Sequence, residues 1–314
     1  MTDVVAIGES LGLYRGQNIG PLTPGDPTTF SFAGAESNVA IALARLGHAV
    51  AMAGRVGADP IGQVIMRHLR SEGIDLAGMT VDPEAPTAFM MRQHRTADRV
   101  TATYYRHGSA GSRLSRADVD ETVVRSARVL HTTGITLALS PSSYDATQYA
   151  MKIARDAGVT VSLDINHRSR LIGSDEAGAM LRALIDQVDV VFGSEHELQM
   201  IVAEQDPEAL VEAVAALGPS EVVLKRGEHG ALGRADDRTA AVPVVPVRAV
   251  DPVGAGDAFV AGYLSSRLEG GTLDDRLRRG AVCGSFAVSV PGDWEGLPRR
   301  DELELLSGTE NVDR

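Results

Sequence analysis

Glycine and polar residues recur where apolar runs of this chain end. They are Gly34, Asn38, Asp164, Asn166, Arg168, Glu195, Glu197, Lys225, Gly227, Gly254, Gly256 and Asp257. Phosphoryl transfer to an alcohol needs donors for the phosphate oxygens, a metal ion held through carboxylates and water, and a carboxylate beside the attacking hydroxyl. These residues could supply all three functions, provided that the fold brings them together.

The segment 251–262, DPVGAGDAFVAG, follows the apolar run VPVVPVRAV. Together they predict a strand, a tight glycine turn and a helix that starts near Gly256, whose free N–H groups would attract an anion. An ordinary strand–helix loop with Asp257 at a helix start fits the same residues, because carboxylates are favoured there. This segment alone leaves both interpretations open.

The position of Asp257 at a helix start predicts a lowered pKa for its carboxyl group. A carboxylate of low pKa is a poor base for a free alcohol. In a loose transition state the alcohol proton leaves late, so a weak base that is well placed suffices. We therefore expect Asp257 to act through its position rather than through its basicity.

Periodicity predicts the elements that must position these residues. Strands are expected at 4–9, 49–57, 128–134, 159–166, 189–194 and 221–227, and helices at 36–47, 61–73, after Ser140, after Ser174, and at 195–204, 207–218, 257–268 and 273–290. Strands that alternate with helices indicate a parallel, doubly wound sheet, whose ligand crevice lies at the carboxyl ends of its strands. The polar residues named above therefore face one crevice.

Two segments depart from this alternation. Residues 10–32 are rich in Gly, Pro and Thr and show no helical period, and residues 87–106 contain two strand-like runs joined by a polar turn. We expect them to form a small β appendage outside the main sheet. No repeat or low-complexity linker divides residues 1–314, so a single domain is predicted, with a frayed polar tail at 307–314.

Composition excludes several classes of function. A formal net charge of −12 argues against nucleic-acid and anionic-membrane partners. Lys152 and Lys225 are the only lysines and neither follows a glycine directly, which excludes a Walker A loop. The single Cys283 cannot form an internal disulfide, and the eight histidines lack zinc-ligand spacing. Neither a secretory leader nor an apolar span of about 18 residues is visible, so a cytoplasmic protein is expected.

Several motifs resemble those of the ribokinase-like, PfkB-type sugar kinases. DPVGAGDAFVAG is similar to the family signature, with Pro252 where threonine is common, and AGAESNVAIALARLG at 33–47 is similar to its glycine-rich motif. DINHR at 164–168, SEHE at 194–197 and KRGEHG at 225–230 follow in the family's order. The resemblance implies a three-layer α/β fold with a mostly parallel, doubly wound sheet, and a β lid built from the two irregular segments.

The resemblance also implies roles for individual residues. Gly254, Ala255 and Gly256 would form the anion hole, Asp257 would be the base, and Gly34 and Asn38 would contact sugar hydroxyls. The nucleotide would be bound by Asn166, Ser194, Lys225, Gly227, Gly230, Gly254 and Gly256. Glu197 would hold Mg²⁺ through water. ATP and Mg²⁺ are the implied cofactors, and a monovalent cation is left open.

A further stretch, YYRHGSAGSRLS at 104–115, resembles that of the 2-keto-3-deoxygluconate kinases of this family. The likeness implies that Tyr104, Arg106, Arg168 and Asp293 contact the substrate, since arginine suits a sugar acid's carboxylate. Met90 departs from the tyrosine often found in this subgroup. Tyr104, Tyr105 and Arg106 would equally suit lid surface or dimer contacts, and a homodimer through the lid is expected.

Three alternatives to a 2-keto-3-deoxygluconate kinase remain. The first is a kinase of the same family for fructose, ribose or 5-dehydro-2-deoxygluconate, which would share the Gly-Ala-Gly-Asp core. The second is a catalytically silent sugar- or nucleotide-binding protein, which the intact Asp257 disfavours. The third, a dinucleotide oxidoreductase, is disfavoured because Phe259 stands where a third small residue belongs.

Overall fold

The computed structural model describes residues 2–96 and 99–306. Within them, a nine-stranded sheet has the order β13-β12-β11-β10-β9-β8-β1-β4-β5. Its strands are β1 Val4–Ile7, β4 Val50–Gly57, β5 Asp75–Asp82, β8 Val129–Thr133, β9 Thr160–Asp164, β10 Val190–Gly193, β11 Glu221–Lys225, β12 Ala231–Ala235 and β13 Arg238–Val242. Pairing is parallel from β5 to β11 and antiparallel from β11 to β13.

Helices cover both faces of this sheet. They are α1 Ala35–Arg45, α2 Pro60–Ser71, α3 Glu121–Ser126, α4 Gly134–Ala138, α5 Pro141–Asp156, α6 Ser174–Arg182, α7 Glu195–Gln199, α8 Pro207–Ala215, α9 Ala255–Leu268 and α10 Leu273–Val288. Alternate strand residues serve opposite cores: Val4 packs in the cluster that contains α9, and Val5 packs in the cluster that contains α5. The predicted three-layer, mostly parallel architecture is confirmed.

A second sheet of four strands, in the order β3-β2-β6-β7, makes the lid. Its strands are β2 Leu11–Ile19, β3 Thr28–Ala33, β6 Phe89–Thr96 and β7 Arg99–Tyr105. Leu11, Leu13 and Met90 lie in a small core of their own. Strand β3 runs through Gly34 directly into α1, so the lid is joined to the main layers at the crevice.

The structure corrects several element boundaries. The apolar run 242–250 is not a strand, because β13 ends at Val242 and the prolines at 243 and 246 have no N–H to donate to a ladder. Helix α7 stops at Gln199 rather than at residue 204, and α9 begins one residue before Gly256. Strands β5, β12 and β13 were not predicted. The last two are rich in alanine, which has low β propensity.

Two expectations fall on residues outside the described ranges. The polar turn of the 87–106 hairpin includes residues 97–98, and the polar tail is residues 307–314. In the part of the chain that the structure describes, no helix combines the length and the apolar character needed to cross a membrane.

Candidate active site

A cleft of about 550 Å³ separates the lid from the carboxyl ends of the central strands. It brings together most of the residues singled out in the sequence: Gly34, Asn38, Tyr104, Arg106, Asp164, Asn166, Arg168, Ser194, Glu197, Lys225, Gly254, Gly256, Asp257 and Asp293. Gly227 and Gly230 lie instead in the β11–β12 turn, at φ of 54° and 79°. A Cβ on Gly230 would meet the Val242 carbonyl at 2.0 Å, so packing alone explains this glycine.

The turn before α9 requires glycine at position 254. Gly254 has a φ of 80°, and a Cβ there would lie 2.1 Å from the Asp293 carbonyl oxygen. It is the N-cap of the 14-residue helix α9, and no side chain caps this end. The N–H groups of the first helical turn, which includes Ala255 and Gly256, are therefore free to donate hydrogen bonds to an anion. We call this helix start, together with Gly254, the anion-accepting turn.

Asp257 does not cap its own helix. Asn38 donates Nδ2–H to Asp257 Oδ2 at 2.7 Å, and Asn166 donates to Oδ1 at 3.4 Å. Asn166 follows β9 at a φ of 42°, a left-handed conformation that asparagine tolerates better than most residues. The carboxyl group is thus held by two amides and faces the cleft, which favours the anion-site interpretation over an ordinary loop.

The expected lowering of the Asp257 pKa is wrong. Burial raises the pKa of Asp257 to about 7, the neighbouring Asp164 carboxylate adds to this rise, and Asn38, Lys225 and Arg168 oppose it. Desolvation outweighs the helix N-terminus because the carboxyl group lies inside the cleft wall. A carboxyl group with such a pKa could serve as a general base near neutral pH.

Lys225, at the end of β11, places a positive charge beside the anion-accepting turn. Its Nζ donates to both Asp164 oxygens at 2.7 Å and lies 3.5 Å from the position that a Cβ on Gly256 would take. Although burial favours the neutral amine, the Asp164 and Glu197 carboxylates raise the pKa of Lys225. It therefore stays an ammonium group, which would attract an anion placed at this turn.

Glu197 belongs to a capping box at the start of α7. Its Oε2 accepts the backbone N–H of Ser194 at 2.7 Å, and its Oε1 accepts that of His167 at 2.7 Å. Although burial opposes ionisation, Lys225 and these N–H groups lower the pKa of Glu197. Glu197 is therefore an anionic carboxylate on the cleft wall.

The Glu197 carboxylate suits a magnesium ion that arrives bound to a nucleotide. Among residues 2–96 and 99–306, no three His, Cys, Asp or Glu side chains cluster as a protein-only metal cage. Mg²⁺ keeps several waters and binds one or two carboxylates plus phosphates, so Glu197 suits contact through water. When bound, the ion would supply positive charge that neutralises the charge developing on the transferred phosphoryl group.

The two candidate carboxylate-binding arginines differ in their charge balance. Arg106 lies over the Tyr104 ring, and its Nη2 is 3.2 Å from Oε2 of the buried Glu9. Arg168 is exposed and donates to the His167 carbonyl, and the described residues place no carboxylate within 4.0 Å of it. Arg168 therefore carries the less compensated charge on this side of the cleft.

The cleft also presents a free acceptor. Asn38 Oδ1 is buried and has no hydrogen-bond partner among the described residues, although its Nδ2 is bound to Asp257. A buried acceptor without a partner is costly, and a ligand hydroxyl would satisfy it. Asn38 can thus hold a hydroxyl beside the carboxylate that would deprotonate it.

Three charged residues that contact cleft-lining side chains were not assigned a role from the sequence. Glu9, Arg92 and Asp251 are buried and charged, and each is paired with a residue far along the chain. Periodicity places Arg92 on a strand but does not reveal a partner 159 residues away. A charged residue among the strand-like runs of 87–106 was the only available signal.

This site has the parts of a phosphotransferase that acts on an alcohol. A model of the pfkB family carbohydrate kinases matches residues 1–300. The 2-dehydro-3-deoxygluconokinases of Bacillus subtilis and Thermoproteus tenax are 35% and 36% identical to this chain, and the alignments cover 99% and 98% of it and 97% and 94% of those proteins. The chain belongs to the pfkB family of carbohydrate kinases, as its motifs predicted.

Solved structures agree with this assignment. A PfkB protein from Polaromonas sp. JS666 gives a TM-score of 0.88 at 34% identity, covering 97% of this chain and 99% of that one. An E. coli protein in complex with ATP and Mg²⁺ gives 0.90 at 27% identity (98% and 99% covered). A Vibrio cholerae fructokinase with fructose, ADP and calcium gives 0.85 at 28% identity (98% and 99% covered).

Proposed function

We propose that this sugar kinase transfers the γ-phosphoryl group of ATP to the terminal hydroxyl of 2-keto-3-deoxygluconate. The observation that carries the substrate class is the pair of arginines, Arg106 and Arg168, that line the same cleft as Asp257. A sugar acid places its carboxylate and its terminal hydroxyl at opposite ends. Both relatives described above are 2-dehydro-3-deoxygluconokinases, which supports this choice.

The chain's own residues account for the chemical step. Asp257 takes the proton of the terminal hydroxyl, whose oxygen forms a bond to the γ-phosphorus as the bond from that phosphorus to the β–γ bridging oxygen breaks. The N–H groups at the start of α9 and the Lys225 ammonium offset the charge on the transferred group. The products are the sugar phosphate, ADP and one proton, and Glu197 would hold the hydrated Mg²⁺ of the nucleotide.

The nearest alternative is a fructokinase, since the Vibrio cholerae protein shares the fold. A neutral sugar needs hydroxyl partners such as Asn38 and has no carboxylate for a guanidinium to bind. In such a complex Arg168 could still act on Asp257, whose pKa it lowers, but it would make no ion pair with the sugar. We therefore favour the acid, and the two substrates predict different effects of removing this charge.

Replacing Arg168 with Ala is expected to lower kcat/KM for 2-keto-3-deoxygluconate by about 10²-fold, the scale of about 1.5–3 kcal/mol for a hydrogen bond to a charged group. Arg106→Ala should act in the same direction and less strongly, because Glu9 already compensates part of its charge. Initial rates with the acid and with fructose measure both effects. Arg155→Ala, which removes an exposed arginine bonded to the Asp186 carbonyl, is the matched control.

The loss of kcat/KM for the acid, compared with that for fructose, distinguishes a carboxylate-binding role of Arg168 from a structural one. Loss confined to the acid supports a carboxylate clamp. An equal loss for fructose and for the acid would reject the clamp and leave Arg168 with a structural role.

We further propose that two copies associate through their lids. The lid sheet ends in the edge strands β3 and β7, and the apolar side chains of Ile19, Phe30 and Tyr105 are 67%, 39% and 52% exposed. Unpaired edges with exposed apolar groups favour pairing with a second subunit.

Sedimentation analysis should give twice the chain mass of 33.1 kDa. The double variant Phe30→Ser/Tyr105→Ser should sediment as a monomer, whereas Leu217→Ser, which lies outside the lid, should not.

A further inference from the structure

The largest fully buried charged side chain in the described part of the chain is Arg92, on lid strand β6, with 1% of its surface exposed. Its Nη2 donates to Asp251 Oδ2 at 2.7 Å, and its Nη1 donates to Asp293 Oδ1 at 2.6 Å. Both partners belong to the main layers. One guanidinium therefore joins the lid to two separate segments on the other side of the cleft.

Both segments shape the anion-accepting turn. Asp251 Oδ1 accepts the backbone N–H of Val253, the residue before Gly254, at 3.2 Å, and Asp251 Oδ2 accepts that of Gly292 at 3.2 Å. The Asp293 carbonyl packs directly on Gly254, as its 2.1 Å distance to a would-be Cβ shows. A shift of either carboxylate would move the turn that must meet the phosphate.

The ion pairs of Arg92 with Asp251 and Asp293 make this link depend on the position of the lid. Asp251 and Asp293 are both buried and share one guanidinium, so withdrawal of Arg92 with the lid would leave two buried carboxylates uncompensated. Removing one partner from a buried ion pair is strongly destabilising. The docked position of β6 is therefore energetically tied to the arrangement of residues 251–254 and 292–293.

We propose that Arg92 is a positioning residue that couples lid closure to phosphoryl transfer by holding Asp251 and Asp293, and through them the Gly254 turn, in the anion-accepting arrangement. This rests on the proposed function, in which that turn receives the transferred phosphoryl group. Arg92 acts through the two aspartates and contacts neither the reacting oxygen nor the phosphorus. An open lid thus leaves the turn unsupported and limits transfer of phosphate to water.

Arg92→Lys tests the coupling, because one ammonium group keeps the charge but cannot reproduce the guanidinium fork between two carboxylates. At saturating ATP and sugar, kcat should fall roughly 10- to 100-fold, the loss that follows a misplacement of about 1 Å. KM for ATP should change by less than about 3-fold, since the turn meets mainly the phosphoryl group in transfer and the other nucleotide contacts remain. ADP formed without sugar, relative to sugar phosphate formed with it, should rise.

Arg55→Lys is the matched control. Arg55 also bridges two aspartates, donating to Asp118 at 3.0 Å and to Asp82 at 3.1 Å, and lies outside the cleft. Its side chain is 20% exposed against 2% for Arg92, so its variant should lower Tm by no more than Arg92→Lys does, with kcat and the ADP ratio unchanged. Should Arg92→Lys not accumulate as folded protein, Asp251→Asn tests the same link, with an expected loss in kcat of about 10-fold.

The possible outcomes distinguish failure of the coupling proposal from failure of the proposed function. A folded Arg92→Lys protein with unchanged kcat and ADP ratio would overturn the coupling while leaving the proposed function intact. If Arg92→Lys and Arg55→Lys lowered kcat by the same factor, Arg92 would have only a structural role as an ion pair. A wild-type protein that phosphorylates no sugar acid would instead refute the proposed function itself.

Discussion

Asp257→Asn is expected to lower kcat by about 10³-fold while the affinity for ATP stays within about 3-fold, because general-base catalysis typically contributes 10²–10⁴-fold. The amide keeps the shape of the side chain and its contact with Asn38, but it cannot take the hydroxyl proton. Steady-state rates and calorimetric titration with a non-hydrolysable ATP analogue measure the two quantities. Retention of the wild-type kcat would refute the base assignment.

The pH dependence supplies an independent check of the same residue. Burial raises the pKa of Asp257 to about 7, so lowering the pH through this value protonates the base. The logarithm of kcat/KM for the wild-type protein should therefore fall with a slope of one below about pH 7, and this limb should disappear in Asp257→Asn. An acid limb that survives the substitution would point to another group.

Gly254→Ala should be the other severe change, with kcat lowered by about 10³-fold, the upper scale for losing one oxyanion-type donor. The methyl group would meet the Asp293 carbonyl at 2.1 Å, and this contact can be relieved only by moving backbone. The turn would then present its N–H groups in the wrong direction. Initial rates and Tm of the purified variant show whether activity is lost from a folded protein.

Gly270→Ala is the control for this substitution. Gly270 has the same φ of 80°, yet a Cβ there would meet no atom within 4 Å. It therefore carries the conformational cost of about 1–2 kcal/mol for a left-handed residue without the steric clash. We expect wild-type kcat from Gly270→Ala. Equal loss of kcat in both variants would mean that backbone strain, and not the contact with Asp293, explains the effect.

Local sequence pattern was enough to predict that most of the named residues meet at one cleft, although Gly227 and Gly230 do not line it. Alternating strands and helices bring the carboxyl ends of β9, β10 and β11 to one edge, so Asn166, Glu197 and Lys225 had to approach one another. The glycine turn before α9 was visible for the same reason.

The electrostatics of the cleft were not predictable in this way. The helix position of Asp257 predicted a lowered pKa, whereas burial raises it, and the Asn38 amide that opposes this rise lies 219 residues away in the chain. Arg92 meets partners 159 and 201 residues away. Alternation of strand residues says which face a side chain takes but not which charge it will meet across a cleft.

The substrate panel tests the central claim most directly. The wild-type protein would be supplied with ATP, Mg²⁺ and either 2-keto-3-deoxygluconate, 2-keto-3-deoxygalactonate, gluconate, fructose or ribose, and ADP and the phosphorylated position would be measured. We predict the highest kcat/KM for the keto-deoxy acids, with phosphate on the terminal hydroxyl. Equal or better turnover of fructose or ribose would contradict a sugar-acid kinase.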